Sequence, residues 1–316
     1  MKGSTNQLND VTRCHGRGAT CLLAAVLLTV CVAAAQTKAP DELTRARALL
    51  DGPRWRDADA VVKKFVADHP DSADAHALLG VLLYREHQPR ASMAEILKAS
   101  ETAELTAFDL RIFALDCAAI PDLPEAERWL GRSLQKDDKD AGTWEALGHV
   151  RFAQQEYTAA IEALNRALEL KPRTVASEAL IGLAYERQAQ PEAAEKAYRA
   201  AIAWQADRKE KDPVPYVGMG RVLLGNDQAA EAAPWLAEAV KAPVATAEAH
   251  ELLGQALAKT GKNAEAAKEL ETAIRMEPEA ARLHLLLARV YRALGQADRA
   301  RAEQECYAAM KAGVAQ

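Results

Sequence analysis

Apolar residues recur along this chain at helical spacing, and the pattern itself recurs every 34 residues. The clearest copy is 141–174. Trp144, Leu147 and Phe152 give one helix an apolar stripe, and Ala160, Leu164 and Ala167, spaced four and three apart, give a second helix another. Pro172 lacks an N–H and ends that second helix. Gly148 lies inside the first helix, where glycine costs about 1 kcal/mol against alanine. Close helix approach accounts for it: a side chain there would hold the second helix away. Ala160 and Ala167 supply the matching small surface and Leu164 fills the remaining gap. One hairpin of this kind cannot bury its apolar face alone, whereas stacked copies can.

The same slots tile the chain. The units are 39–72, 73–106, 107–140, 141–174, 175–212, 213–246, 247–280 and 281–314, seven of 34 residues and one of 38, without gaps. Leu79-Gly80, Ile181-Gly182, Met219-Gly220 and Leu253-Gly254 repeat the Leu147-Gly148 pair. The first unit is degenerate, with Ala46 in the glycine slot and a turn at Asp51-Gly52-Pro53, as an end cap would be. The second lacks its closing proline, so its second helix is expected to run on. The fifth carries its extra length at 207–212, read as an extended second helix and an exposed loop. Gly261 and Gly295 fall where a left-handed residue closes the turn. In the last helix Gln304 replaces a large apolar residue and Tyr307 a small one, giving a capping surface.

This spacing of Trp144, Leu147-Gly148, Ala160, Leu164, Ala167 and Pro172 resembles a tetratricopeptide repeat (TPR), a helix–turn–helix unit of about 34 residues. The resemblance implies an all-α, right-handed superhelical solenoid of antiparallel helix pairs. It also implies a functional surface on the concave side, made by the first helix of each pair.

The N-terminus is a separate object. Lys2, Arg13 and Arg17 precede an uncharged run from Gly18 to Gln36, with Ala33-Ala34-Ala35 at its end. These are the three parts of a secretory signal peptide, expected over 1–35 and followed by a linker at 36–38, the array at 39–314 and a tail at 315–316. The expected location is periplasmic or secreted. The alternative is membrane anchoring by a retained or lipid-modified segment; Cys31 is a lipid site only if Val30 stands in for a small residue. Three of the five cysteines lie in that segment, leaving Cys117, read as a small buried apolar residue, and Cys306, read as a free thiol or an intermolecular link. The formal net charge is −5; the first 35 residues carry a net +2, which leaves −7 on the remainder. A chain of 49% hydrophobic and 5% aromatic residues suits an alanine-rich helical array, and the acidic balance excludes a nucleic-acid footprint.

Catalytic and metal-binding signatures are missing from the sequence: it has no glycine-rich phosphate loop, Cys-x-x-Cys, His-Glu-x-x-His or Gly-x-Ser-x-Gly. His76, His250 and His284 occupy the slot of Trp144 and read as helix-packing residues. The expected protein is therefore a non-enzymatic scaffold without cofactor or metal. Its partner is a protein or peptide, acidic in character, with no nucleic acid. The residues assigned to the groove are Tyr84, Arg85, Arg111, His149, Phe152, Arg187 and Arg221, the arginines for carboxylates and the aromatics for stacking. The Lys/Asn clamp with which related domains hold chaperone tails is absent: its slots hold Leu43, Arg47, Ala77, Val81, Arg111 and Leu115. The competing reading is a membrane-tethered assembly factor, or a structural protein that self-associates through its last helix.

Overall fold

The computed structural model describes residues 42–50, 52 and 55–314. The expected signal peptide 1–35, the linker 36–38, Asp51 and Pro53 of the first turn and the tail 315–316 lie outside the described residues. Within them the chain is helical and has no strand. The first helix, α1, covers 42–50, and a 3-10 turn at Trp55–Asp57 leads into α2 (Ala58–Asp68). There follow α3 (Ala73–Arg85), α4 (Pro89–Thr102), α5 (Ala107–Ala119), α6 (Leu123–Lys136), α7 (Ala141–Ala153) and α8 (Tyr157–Leu170). The remainder are α9 (Val175–Arg187), α10 (Pro191–Trp204), α11 (Val214–Gly225), α12 (Ala229–Ala239), α13 (Ala247–Lys259), α14 (Asn263–Met276), α15 (Ala281–Ala293) and α16 (Ala297–Val314). They belong to two compact units, Met1–Ile120 and Pro121–Gln316.

In unit 2 each helix packs on its neighbours in sequence, and the odd-numbered helices from α7 to α15 also touch the next odd-numbered one. The even-numbered helices of that unit make no comparable contact with each other among the described residues. Two layers result, an inner one of odd helices and an outer one of even helices. In unit 1, α3 packs against α2, α4 and α5, and α4 against α5. The expected all-α stack of helix pairs is thus present in each unit.

The helix ends follow local chemistry. Thr106 and Asp109 form a capping box at the start of α5, and Asp140 and Thr246 accept backbone N–H bonds at the starts of α7 and α13. Pro89 and Pro191 open α4 and α10, where a missing N–H costs nothing. Gly261 and Gly295 close α13 and α15 at φ +81° and +72°. Equivalent turns put His87, Gln155, Ala189 and Asp227 at φ between 56° and 66°, a region that side chains disfavour.

Close packing between paired helices runs through the small slot. A Cβ built on Gly148 would stand 2.5 Å from Leu164 Cγ; on Gly220, 2.4 Å from Leu236; on Gly254, 2.7 Å from Leu270; on Gly80, 2.6 Å from Ile96. In the fifth pair the large residue is Tyr198, whose ring fills the space left by both Gly182 and Gly218. Tyr198, Leu236 and Leu270 belong to one core cluster that continues to Ala300.

Two sequence expectations are corrected. Helix α4 does not run on: it stops at Thr102, because the Thr106–Asp109 box fixes the start of α5 and Ala103 turns extended to reach it. Helix α10 is not lengthened, and the extra residues form a loop closed by buried Gln205. Its Nε2 donates to the Asp212 carbonyl at 3.0 Å and its Oε1 accepts from the Asp212 N–H at 2.7 Å.

The Trp144 slot does more than pack. The Trp144 indole N–H donates to the Asp138 carbonyl at 2.8 Å, six residues back. His76 and His284 make the same reach with Nε2, to Pro70 and Pro278 at 2.9 and 3.2 Å. The Nδ1 atoms of His76, His250 and His284 share hydrogen bonds with Glu95, Glu269 and Glu303 at 2.7, 2.7 and 2.6 Å, each on the paired helix. Cys117 is buried and Cys306 exposed, and neither is in a disulfide.

Candidate interaction surface on the inner helices

Unit 1 carries a cleft of about 260 Å³ on its inner layer. Leu50 of α1, Ala77, Leu78 and Val81 of α3, and Phe108 of α5 line it, with Arg47, Thr106 and Asp109 at the edge. Three successive odd helices build it. The short Ala77 and Val81 leave room that longer side chains would fill. Arg47 bonds Asp74 at 2.7 Å, but both side chains are half exposed and exchange readily with a competing ligand. The Arg111 guanidinium lies over the Phe108 ring, 5.0 Å from its centroid, which joins a cation to the apolar wall. Tyr84 is half-buried, and exposed Arg85 lies apart from this cleft, in a hollow with Trp55, Arg56, Asp59, Glu86 and His87.

Unit 2 treats the same layer differently. Arg221 of α11 donates from Nη1 to both carboxylate oxygens of Glu186 on α9, at 2.9 Å each. It also donates from Nε to Glu248 on α13 at 3.1 Å. The Tyr198 hydroxyl donates to the same Glu186 carboxylate. Burial and the adjacent Glu186 charge push the phenol well above its ordinary range. Arg282 of α15 binds Glu251 of α13 at 2.9 Å, and the Ser177 hydroxyl donates to Glu145 on α7 at 3.1 Å. Arg221 therefore sits at the centre of an internal network. Phe152 packs against the cluster of Ile161, Leu164 and Ile181 and meets Tyr157 edge-on at 5.4 Å. Arg187 and His149 are exposed, and crowding by the surrounding protein holds the His149 pKa below its ordinary value.

Of the seven residues assigned from sequence, Arg111 stands beside the unit 1 cleft, Arg221 is engaged internally and Phe152 is half-buried against the core. The cleft residues Leu50, Ala77, Leu78 and Val81 were not assigned, because apolar side chains on an odd helix read as core. The slot of Ala77 alone does not single them out: unit 2 has Glu145, Val217, Glu251 and Leu285 there, but also Ala179.

Comparison with known proteins agrees with this architecture. A sequence profile described as tetratricopeptide repeat matches residues 43–103, 217–270 and 252–313, half of the chain. A TPR repeat profile matches 148–188 and a further tetratricopeptide repeat profile 179–208. No curated protein sequence matches the chain. Among solved structures it is similar to a chain of the APC/C hetero-tetramer Cut9-Hcn1, at TM-score 0.58 and 18% identity over 85% of this chain. It spans 52% of that chain's length. It is also similar to pilF of Pseudomonas aeruginosa, at TM-score 0.57 and 18% identity over 70% of this chain and 98% of that one. A third likeness is a tetratricopeptide repeat protein from Parabacteroides merdae, at TM-score 0.57 and 14% identity over 80% of this chain and 99% of that one.

Proposed function

This chain belongs to the tetratricopeptide repeat family, and from that premise we propose that it is a non-enzymatic scaffold that holds a peptide or protein partner in the inner cleft of unit 1. Repeats of this family form protein-interaction scaffolds. The observation that carries the reading is the cleft itself: a small apolar hollow between three helices, with Arg47 at its edge and Arg111 stacked on its Phe108 wall. It suits an apolar side chain next to a carboxylate. Burial of the first supplies affinity and pairing of the second supplies orientation. The repeat intervals 39–314 and export with loss of residues 1–35 are part of this proposal. Among the described residues no helix is long and apolar enough to cross a membrane.

Photo-crosslinking in the native cell tests it. A benzophenone side chain placed at Phe108 is compared with one at Leu97, an exposed apolar residue on α4. The expected result is a discrete cross-linked partner from position 108 that disappears when Val81→Arg is added. Equal capture from position 97, or capture that survives Val81→Arg, overturns the assignment.

A further inference from the structure

The tenth residue of each repeat from the second onward lies on the odd helix and faces the core. In six repeats this residue is aliphatic and buried: Leu82, Val150, Ala184, Val222, Ala256 and Val290. In α5 it is Asp116, with 1% of its surface exposed. Its Oδ2 is buried without a hydrogen-bond partner. The polar group facing it from α4 is the Ser92 hydroxyl, itself fully buried. Ser92 Oγ donates its one proton to the Gly80 carbonyl of α3 at 2.8 Å. That proton is therefore committed to the Gly80 carbonyl and is not free to stabilise a carboxylate at Asp116.

No charged group of α3 or α4 is positioned to neutralise a carboxylate there, among the described residues. Asp74 is bound to Arg47; His76 and Lys98 are bound to Glu95; Arg85, Arg90 and Glu101 are exposed. Burial is the largest influence on the Asp116 carboxyl and pushes its pKa up to about 7.

We propose that Asp116 is a pH-responsive latch, holding α5 to α4 and α3 when its carboxyl is neutral and releasing α5 when the carboxyl ionises. Ionisation places a charge in the core where Oδ2 has no hydrogen-bond partner and the facing hydroxyl, Ser92, is committed to Gly80. Movement of α5 lets water reach the carboxylate. The closed form binds one proton more than the open form between the ordinary carboxylate range and about pH 7, so opening grows as pH rises through that window and levels off above it. The latch does not depend on what occupies the unit 1 cleft.

Hydrogen exchange of the full chain tests it, read at the α5 amides between pH 5 and 8.5 and corrected for intrinsic exchange. In the wild type the opening equilibrium constant is expected to rise about tenfold per pH unit up to neutrality, then flatten. In Asp116→Asn, which keeps the shape and cannot ionise, it is expected to stay flat and low. Asp116→Val, carrying the side chain found at this position in other repeats, should behave likewise and gives the same reading if the Asn variant does not fold. A flat wild-type profile, or an unchanged pH dependence in either variant, overturns the latch.

Discussion

The inner face of unit 1 keeps an apolar cleft among Leu50, Ala77, Leu78, Val81 and Phe108. That of unit 2 is crossed by Arg221 and Arg282, each bound to carboxylates on neighbouring odd helices. The small-against-large device appears in both, as Gly80 under Ile96 and as Gly148, Gly220 and Gly254 under leucines. The frame is therefore common to both units, and the finish of the inner layer differs. Unit 2 satisfies its charges internally and stiffens the stack. Unit 1 keeps a small apolar hollow there and holds in its core the buried carboxyl of Asp116. Repeat geometry sets the spacing of the helices, while a handful of slots on the inner layer set how its surface is finished.

The comparison predicts opposite responses to core substitutions. In unit 1, Asp116→Val should stabilise at pH 8. The rise of its pKa from 3.8 to about 7 corresponds to as much as ~4 kcal/mol. The ionised carboxyl's penalty vanishes below its unfolded pKa, so the gain should fade as pH drops towards 4. Denaturant melts of both proteins at pH 8 and pH 4.5 measure it; an equal difference at the two pH values contradicts the assignment. In unit 2, Gly148→Leu should cost about 3 kcal/mol, because even a Cβ meets Leu164 Cγ at 2.5 Å. Leu164→Ala in the same chain should recover part of that loss. A melting curve indifferent to Gly148→Leu breaks the claim that the glycine slot sets helix separation.

The ionic network gives a smaller and more local test. Arg221→Ala leaves Glu186, whose side chain is only 14% exposed, with the Tyr198 hydroxyl alone. Removing one partner of a buried pair costs 3–5 kcal/mol, but Arg221 itself is a third exposed, and solvent screening brings the expectation to about 2 kcal/mol. Tyr198→Phe should cost about 1 kcal/mol, the worth of one hydrogen bond. Cross-linking from Phe108 should survive both changes. Its loss in Arg221→Ala would mean that the recognition surface is not confined to unit 1.

Much of the frame was legible in the sequence because it rests on size and backbone freedom. Glycines sit 16 residues before Ile96, Leu164, Leu236 and Leu270, and glycines close two of the turns. The polar ties were harder to see, because their partners lie about one repeat away and no short motif joins them. Glu186 and Arg221 are 35 residues apart, Glu251 and Arg282 are 31 apart, and each histidine of the tryptophan slot finds a glutamate 19 residues on. Aligning charges by repeat position would have revealed them. Arg221 and Phe152 were assigned to the groove by position alone, and position does not say whether a side chain is already engaged. Asp116 was hidden among its apolar neighbours, Ile112, Phe113, Ala114 and Cys117.

The smallest predicted effect concerns the turns. Gly261 and Ala189 occupy equivalent positions at φ +81° and +56°, so the same backbone is tested with and without a Cβ. Ala189→Gly relieves the clash of the Cβ with the carbonyl but adds freedom to the unfolded chain, and the two nearly offset, leaving a gain of about 0.5 kcal/mol. Gly261→Ala should cost about 1 kcal/mol by the reverse argument, since its Cβ meets no other group within 4 Å and the penalty is backbone conformation alone. Both turns belong to unit 2, so one denaturation series reads the pair. Opposite signs of the two effects make turn conformation a separable contribution to the frame. Equal signs would mean that helix packing overrides the turns, and the repeat would then be held by its small-against-large contacts alone.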